Sequence, residues 1–142
     1  MKRIIAALLI AAGLLIHTTP ASAEGQGPCT GWFSNVRPSM PNSKIVEHTK
    51  AMIECAIRRF GPVSESTAFY VADRESSFYP WALNPSGCAG VYQHQLDYWG
   101  GRLAAWWNPR WFWRQPSAFN LRANVIVTMR MVRASGWGPW AS

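Results

Sequence analysis

The chain has 142 residues, a formal net charge of +7 and nine tryptophans. Its N-terminus carries Lys2 and Arg3, then an apolar run over residues 4–16, then the small triplet Ala21-Ser22-Ala23. This order is typical of a secretory signal peptide cleaved after Ala23, and the apolar run is shorter than the roughly 20 residues that cross a bilayer. An uncleaved membrane anchor is the alternative. Secretion disfavours nucleic acid as a partner and favours an anionic polymer of the cell envelope.

Removal of residues 1–23 leaves a length suited to one domain and lowers the net charge to +5, because Lys2 and Arg3 are lost. Residues 24–41 are rich in glycine and proline, so we expect an irregular lead-in followed by a single domain over residues 42–142. We expect a monomer with no transmembrane segment after cleavage. The chain then retains two histidines, neither at ligand spacing from a cysteine, and we predict no metal and no organic cofactor.

The cysteines bear on whether the protein folds inside or outside the reducing cytosol. Cys29, Cys55 and Cys88 remain after cleavage, and outside the cytosol two of them should form a disulfide. The sequence does not rank the three possible pairings.

Two segments near the start of the domain have the apolar spacing of amphipathic helices. The first spans residues 42–60, with Asn42 or Ser43 as its N-cap and Gly61-Pro62 as its stop. The second begins after Ser64, a good N-cap, and runs to about Ser76.

A further strong helix is predicted over residues 117–134, closed by Gly136. Residues 77–101 are interrupted by proline and glycine, so only a short helical turn over 93–99 and a small hairpin between Trp81 and Tyr92 are expected there. The predicted fold class is mainly α, a small helical domain with a cleft.

Glu75 is the carboxylate best placed for chemistry. Ala68, Val71, Ala72 and Glu75 are spaced i, i+3, i+4 and i+7 on the second helix, so they share one face. A glutamate on this apolar stripe faces the core or a cleft, which is the setting of a general acid. The alternative is an exposed or salt-bridged residue without a catalytic role.

The segment that follows carries a more specific pattern: Glu-Ser, then Pro-x-Ala, then Gly-x-x-Gly, two apolar residues and Gln. It resembles the signature of the soluble lytic transglycosylase-like domain of the lysozyme-like superfamily. The matching residues, in order and separation, are Glu75, Ser76, Pro80, Ala82, Gly87, Gly90 and Gln93.

This resemblance implies an α+β lysozyme-like fold and cleavage of the MurNAc–GlcNAc bond of peptidoglycan. Glu75 would be the single acid and base, Ser76 would hold the catalytic turn, and Gln93 would bind the sugar. The product would be a 1,6-anhydro-muramoyl end. The chain departs from the pattern at Cys88, where the family usually has Ala, and no clear Ala-Tyr-Asn-Ala-Gly segment supplies the family's active-site tyrosine.

Aromatic residues are candidates for the sugar-binding surface. Five of the nine tryptophans lie between residues 99 and 113, and flat rings suit the faces of sugars, although core packing is the alternative for each. We place Tyr92 and Trp99 with Ser76 and Gln93 as substrate-binding residues.

Three readings of the function remain open at this point. Asp73 and Asp97 are possible second carboxylates, but Asp73 is off the Glu75 stripe, so a single-carboxylate transglycosylase fits better. The alternatives are a non-catalytic peptidoglycan-binding module of the same fold and a hydrolytic lysozyme.

Overall fold

The computed structural model describes residues 27–111 and 114–141, so the predicted signal peptide lies outside the described residues. The described part is mainly helical, with a two-stranded antiparallel sheet, which confirms the predicted fold class. No helix within these two ranges is long and apolar enough to cross a membrane. The elements in chain order are α1 (Asn42–Phe60), α2 (Glu65–Ser76), β1 (Cys88–Ala89), β2 (His94–Gln95), α3 (Leu96–Trp106) and α4 (Leu121–Ser135).

Helix α2 begins and ends where the sequence predicts, and the Ser64 hydroxyl accepts a hydrogen bond from the Thr67 N–H at 3.3 Å. Helix α1 has the predicted span, but the residue before it is Pro41, which makes no side-chain cap. The prediction of Asn42 or Ser43 as N-cap is therefore wrong, because both residues are already helical.

Helix α4 starts four residues later than predicted. The Asn120 side chain accepts a hydrogen bond from the Ala123 N–H at 2.9 Å, which places the cap at Asn120. Gly136 ends the helix as expected.

Helix α3 is the largest departure from the sequence-based prediction. Gly100 and Gly101 indicate a loop, yet the helix passes through both of them. Trp99 and Leu103, spaced i and i+4, are both buried, so packing of this face offsets the poor helix propensity of glycine. The hairpin also lies later than expected, since Cys88 pairs with Gln95 and Ala89 with His94.

Helix α4 forms the centre of the core and packs against α1 and α3. The irregular lead-in is attached to α1 by a disulfide between Cys29 and Cys55, which resolves the open pairing and leaves Cys88 as a free thiol. The buried residues of α4 are Leu121, Ala123, Asn124, Val125, Ile126, Val127, Thr128, Met129 and Val132.

One polar residue of α4 binds the hairpin region to the core. The hairpin region is residues 83–95, which include β1, β2 and the loop between them. The fully buried Asn124 accepts a hydrogen bond at Oδ1 from the Tyr92 N–H at 3.0 Å. Its Nδ2 donates to the carbonyl oxygens of Ala118 at 2.8 Å and Ala89 at 3.3 Å. Every polar group of this carboxamide is therefore used, as burial requires.

Gly90 makes this close approach possible. Its φ is +81°, in the left-handed region that L side chains avoid, and a Cβ atom there would lie 2.2 Å from both the Ala118 carbonyl oxygen and Asn124 Nδ2. The glycine is thus required by backbone conformation and by space.

We predict that Gly90→Ala lowers the free energy of unfolding by at least about 2 kcal/mol, through left-handed strain and overpacking against backbone. Gly100→Ala is the matched control, because no atom lies within 4 Å of its added Cβ. It should leave stability unchanged or raise it by up to about 1 kcal/mol. Urea unfolding of the two variants measures both effects, and equal stabilities would contradict the account.

Candidate active site

The C-terminal end of α2 is held in an unusual turn. Ser77 and Phe78 both adopt left-handed conformations, with φ of 51° and 62°. The Ser77 N–H donates to the Asp73 carbonyl at 2.7 Å, and the Phe78 N–H donates to the Ala72 carbonyl at 3.3 Å. The buried Thr49 of α1 donates its hydroxyl to the Phe78 carbonyl at 3.0 Å. These bonds fix the last turn of α2, which carries Glu75.

A cleft of about 400 Å³ lies beside this turn. Its walls come from the end of α2, the hairpin region, the first turns of α3 and the C-terminal segment. The lining residues are Glu75, Asn84, Cys88, Gln93, Gln95, Asp97, Tyr98, Arg102, Pro139 and Trp140.

Glu75 lies at the edge of the apolar stripe of α2, with 23% of its side chain exposed. Its Oε1 accepts hydrogen bonds from Arg74 Nε at 3.2 Å and Arg74 Nη2 at 2.7 Å. Arg74 Nη2 also donates to the Trp140 carbonyl. The ion pair with Arg74 agrees with the salt-bridged alternative stated for Glu75. Within the described residues Oε2 makes no hydrogen bond, so the carboxyl group is oriented through one oxygen while the other is available.

Ser76 connects the helix to the hairpin region. Its hydroxyl oxygen lies 2.8 Å from the Val91 carbonyl oxygen and 3.2 Å from that of Ala72. This side chain therefore bonds the end of α2 to Val91 and does not line the cleft, and the prediction that Ser76 contacts substrate is corrected accordingly.

Gln93 lines the same cleft as Glu75. It has a left-handed φ of 46°, and its Nε2 donates to the carbonyls of Gly90 at 2.9 Å and Ala82 at 3.2 Å. Both amide protons are used to hold the loop, so the side-chain oxygen is the group that remains to accept a hydrogen bond from a ligand.

Two further predicted substrate-binding residues, Tyr92 and Trp99, do not line the cleft either. Tyr92 is fully buried, its hydroxyl donates to the Ala68 carbonyl at 3.0 Å, and burial raises its pKa well above the usual value. Trp99 is also buried, and its Nε1 donates to the Pro116 carbonyl at 2.9 Å. Both side chains are core residues beneath the site, and the prediction that they contact substrate is corrected accordingly.

Helix α3 supplies two cleft residues that are not among the predicted site residues. Tyr98 and Arg102 are spaced i and i+4, so they lie on one face, and both line the cleft with Asp97. Tyr98 is 66% exposed, which leaves its ring free for contact with a ligand. The i, i+4 spacing of Tyr98 and Arg102 is present in the sequence, but Gly100 and Gly101 between them indicate a loop and not a helix.

A buried histidine holds Arg102 on the side that faces the core. Arg102 Nη1 hydrogen bonds to Nδ1 of His94, whose Nε2 lies 2.7 Å from the Thr128 hydroxyl. Thr128 donates its own proton to the Asn124 carbonyl at 2.8 Å, so His94 donates at Nε2 and accepts at Nδ1, as a neutral ring does. Burial, together with the charge of Arg102, lowers the pKa of His94 to about 3.

Comparison of the chain with protein-family models, with curated proteins and with solved structures gives no match. Across the described residues, no group of three or more His, Cys, Asp or Glu side chains has the arrangement of a metal site.

The buried His94 predicts an acid-dependent loss of stability. An unfolded histidine takes up a proton near pH 6.5, whereas the folded ring stays neutral until about pH 3, so stability is present above pH 6.5 and falls as the pH is lowered. Between about pH 6.5 and 5 the slope should approach 1.4 kcal/mol per pH unit.

Urea unfolding across this pH range measures the slope in the wild type and in His94→Gln. Because His48 is present in both proteins, the difference isolates His94. The variant should be less stable at pH 7 but show a shallower slope; parallel slopes would show that His94 is not held neutral.

Proposed function

We propose that this protein is a secreted lytic transglycosylase that cleaves the MurNAc–GlcNAc bond of peptidoglycan, with Glu75 as its single acid and base. The observation that carries the proposal is that Glu75 and Gln93, the two ends of the signature-like segment, line one cleft of about 400 Å³. Ser76, between them in the pattern, bonds the end of α2 to the loop that presents Gln93.

Backbone strain at the end of α2 and in the loop that carries Gln93 supports the proposal. Ser77, Phe78 and Gln93 are non-glycine residues with positive φ. Ser77 and Phe78 follow the candidate acid closely, and Gln93 is itself the candidate sugar-binding residue. Such conformations cost about 1–3 kcal/mol each and concentrate at functional sites. A purely structural helix end would be served at lower cost by glycine.

The acids of the cleft favour one catalytic carboxylate. Asp73 is exposed and does not line the cleft, whereas Asp97 lines it from the exposed first turn of α3. Glu75 alone is partly buried and anchored through one oxygen, since Arg74 binds Oε1. One positioned carboxyl group suffices when the substrate supplies its own internal nucleophile.

In the proposed reaction, Glu75 gives a proton to the glycosidic oxygen as the bond to C1 of MurNAc breaks. The N-acetyl carbonyl of the same sugar stabilises the developing positive charge at C1. The carboxylate then takes the proton of the 6-hydroxyl, whose oxygen bonds to C1 and closes the 1,6-anhydro ring. The proton is returned to Glu75, and no water is consumed. Arg74 keeps the carboxyl group in place through both steps.

Secretion to the cell envelope belongs to the same proposal. A disulfide between Cys29 and Cys55 is the kind of bond that persists outside the reducing cytosol. The basic chain also suits an anionic wall polymer, and the exposed Tyr98 ring offers a surface for a sugar face.

We predict that Glu75→Gln abolishes the release of soluble fragments from purified peptidoglycan, because the amide cannot donate or accept the catalytic proton. Mass spectrometry should find anhydro-ended fragments only with the wild type. Glu54→Gln is a matched control, since Glu54 lies on α1 outside the cleft, and it should cleave normally. Ordinary reducing ends would identify a hydrolytic lysozyme, and wall binding without fragments would identify a binding module.

Asp97→Asn separates one-carboxylate from two-carboxylate chemistry. A second acid or base contributes about a hundredfold or more, so loss of a non-catalytic Asp97 should reduce the cleavage rate far less than that. A loss as large as that of Glu75→Gln would assign Asp97 a catalytic role and contradict the single-carboxylate mechanism.

A further inference from the structure

Arg102 is a cation of the cleft that has no acidic partner among the described residues. Glu75 and Asp97 line the same cleft, yet neither forms an ion pair with Arg102. Its hydrogen bond to a described residue goes to the neutral ring of His94. The other cation beside the cleft, Arg74, is paired with Glu75.

Without a ligand, the position of Arg102 costs free energy. Arg102 is partly buried, and desolvation lowers its pKa below the usual value, so part of its hydration is lost without a counter-charge in return. A guanidinium has five N–H donors in a flat fork, and Nη1 is the nitrogen that contacts His94. The remaining donors have the geometry that binds a carboxylate through two parallel hydrogen bonds.

The guanidinium is also held in position before any ligand arrives. His94 is fixed between Arg102 and Thr128, and Thr128 bonds to the backbone of Asn124 in the core. His94 and Thr128 are both fully buried. A donor group that is oriented in advance loses less entropy on binding and discriminates ligands more sharply.

We propose that Arg102 binds a carboxylate carried by the glycan strand, so that the cleft prefers acidic wall glycan to neutral sugar. This inference rests on the proposed function and names the group that its cleft recognises. Two sources supply the carboxylate: the lactyl group of muramic acid where the peptide has been removed, and the acidic residues of an attached peptide. A strand of N-acetylglucosamine alone carries neither.

The test measures binding, not turnover, in a Glu75→Gln background that leaves the ligands intact. Isothermal titration calorimetry compares three oligosaccharides of equal length: one of N-acetylglucosamine alone, one with free lactyl carboxylates and one with attached peptides. Arg102→Gln should weaken binding of at least one acidic ligand by about tenfold or more and leave the neutral ligand unchanged. The acidic ligand that loses more identifies the source of the carboxylate.

Two further variants keep the test decisive. Arg58→Gln removes an exposed arginine of α1 outside the cleft and should bind all three ligands like the parent. Arg102→Lys keeps the charge but not the fork, so it should retain a reduced preference for the acidic ligand even where Arg102→Gln folds poorly.

Equal binding of the three ligands by the parent protein, or equal weakening of all three by Arg102→Gln, would overturn the inference. Either result would leave the proposed function intact, since cleavage by the wild type and its loss in Glu75→Gln are measured separately. Failure of the parent to bind any of the ligands would overturn both the inference and the proposed substrate.

Discussion

The buried carboxamide of Asn124 is the contact on which the candidate site depends. It binds the Tyr92 N–H and the carbonyls of Ala89 and Ala118 at once, from a buried position on α4. Its loss would remove this partner from the buried Tyr92 N–H and the Ala118 carbonyl, at about 1–3 kcal/mol each. Because Gln93 follows Tyr92 directly, this contact also determines where the candidate sugar-binding residue lies.

A second set of bonds connects the hairpin region to the C-terminus. The indole Nε1 of Trp140 donates to the Tyr92 carbonyl at 2.7 Å, and its own carbonyl accepts from Arg74. Arg74 in turn orients Glu75. The C-terminal segment is therefore part of the site: it forms one wall of the cleft and fixes the cation that holds the candidate acid.

The sequence predicted those elements whose signals are local. Apolar spacing indicated α1, α2 and α4, and the Ser64 cap marked the start of α2 correctly. Only the first turn of helix α3 was predicted, because two glycines oppose its continuation and only tertiary burial of Trp99 and Leu103 favours it. Arg102 is absent from the predicted site for the same reason, because its position in the cleft depends on the part of α3 that the sequence did not predict.

The chemical type of a side chain predicted the cleft residues less well than its spacing along the sequence did. Tyr92 and Trp99 have rings that suit a sugar, but both are packed into the core, whereas Tyr98 lies exposed beside the cleft. Glu75 and Gln93 were found because a pattern of spaced residues links them. Asn124 was visible in the sequence only as one of several polar residues of α4, and its partners lie more than 30 residues away or across a turn.

Native-state hydrogen exchange at the Tyr92 amide tests the central claim most directly. If Asn124 holds the hairpin region against α4, this amide should exchange as slowly as the core amides of α4, such as that of Ile126, because both are released only by opening of the core. Exchange as fast as that of an exposed loop amide without a hydrogen-bond partner would show that the loop is not held by Asn124 and would contradict the account.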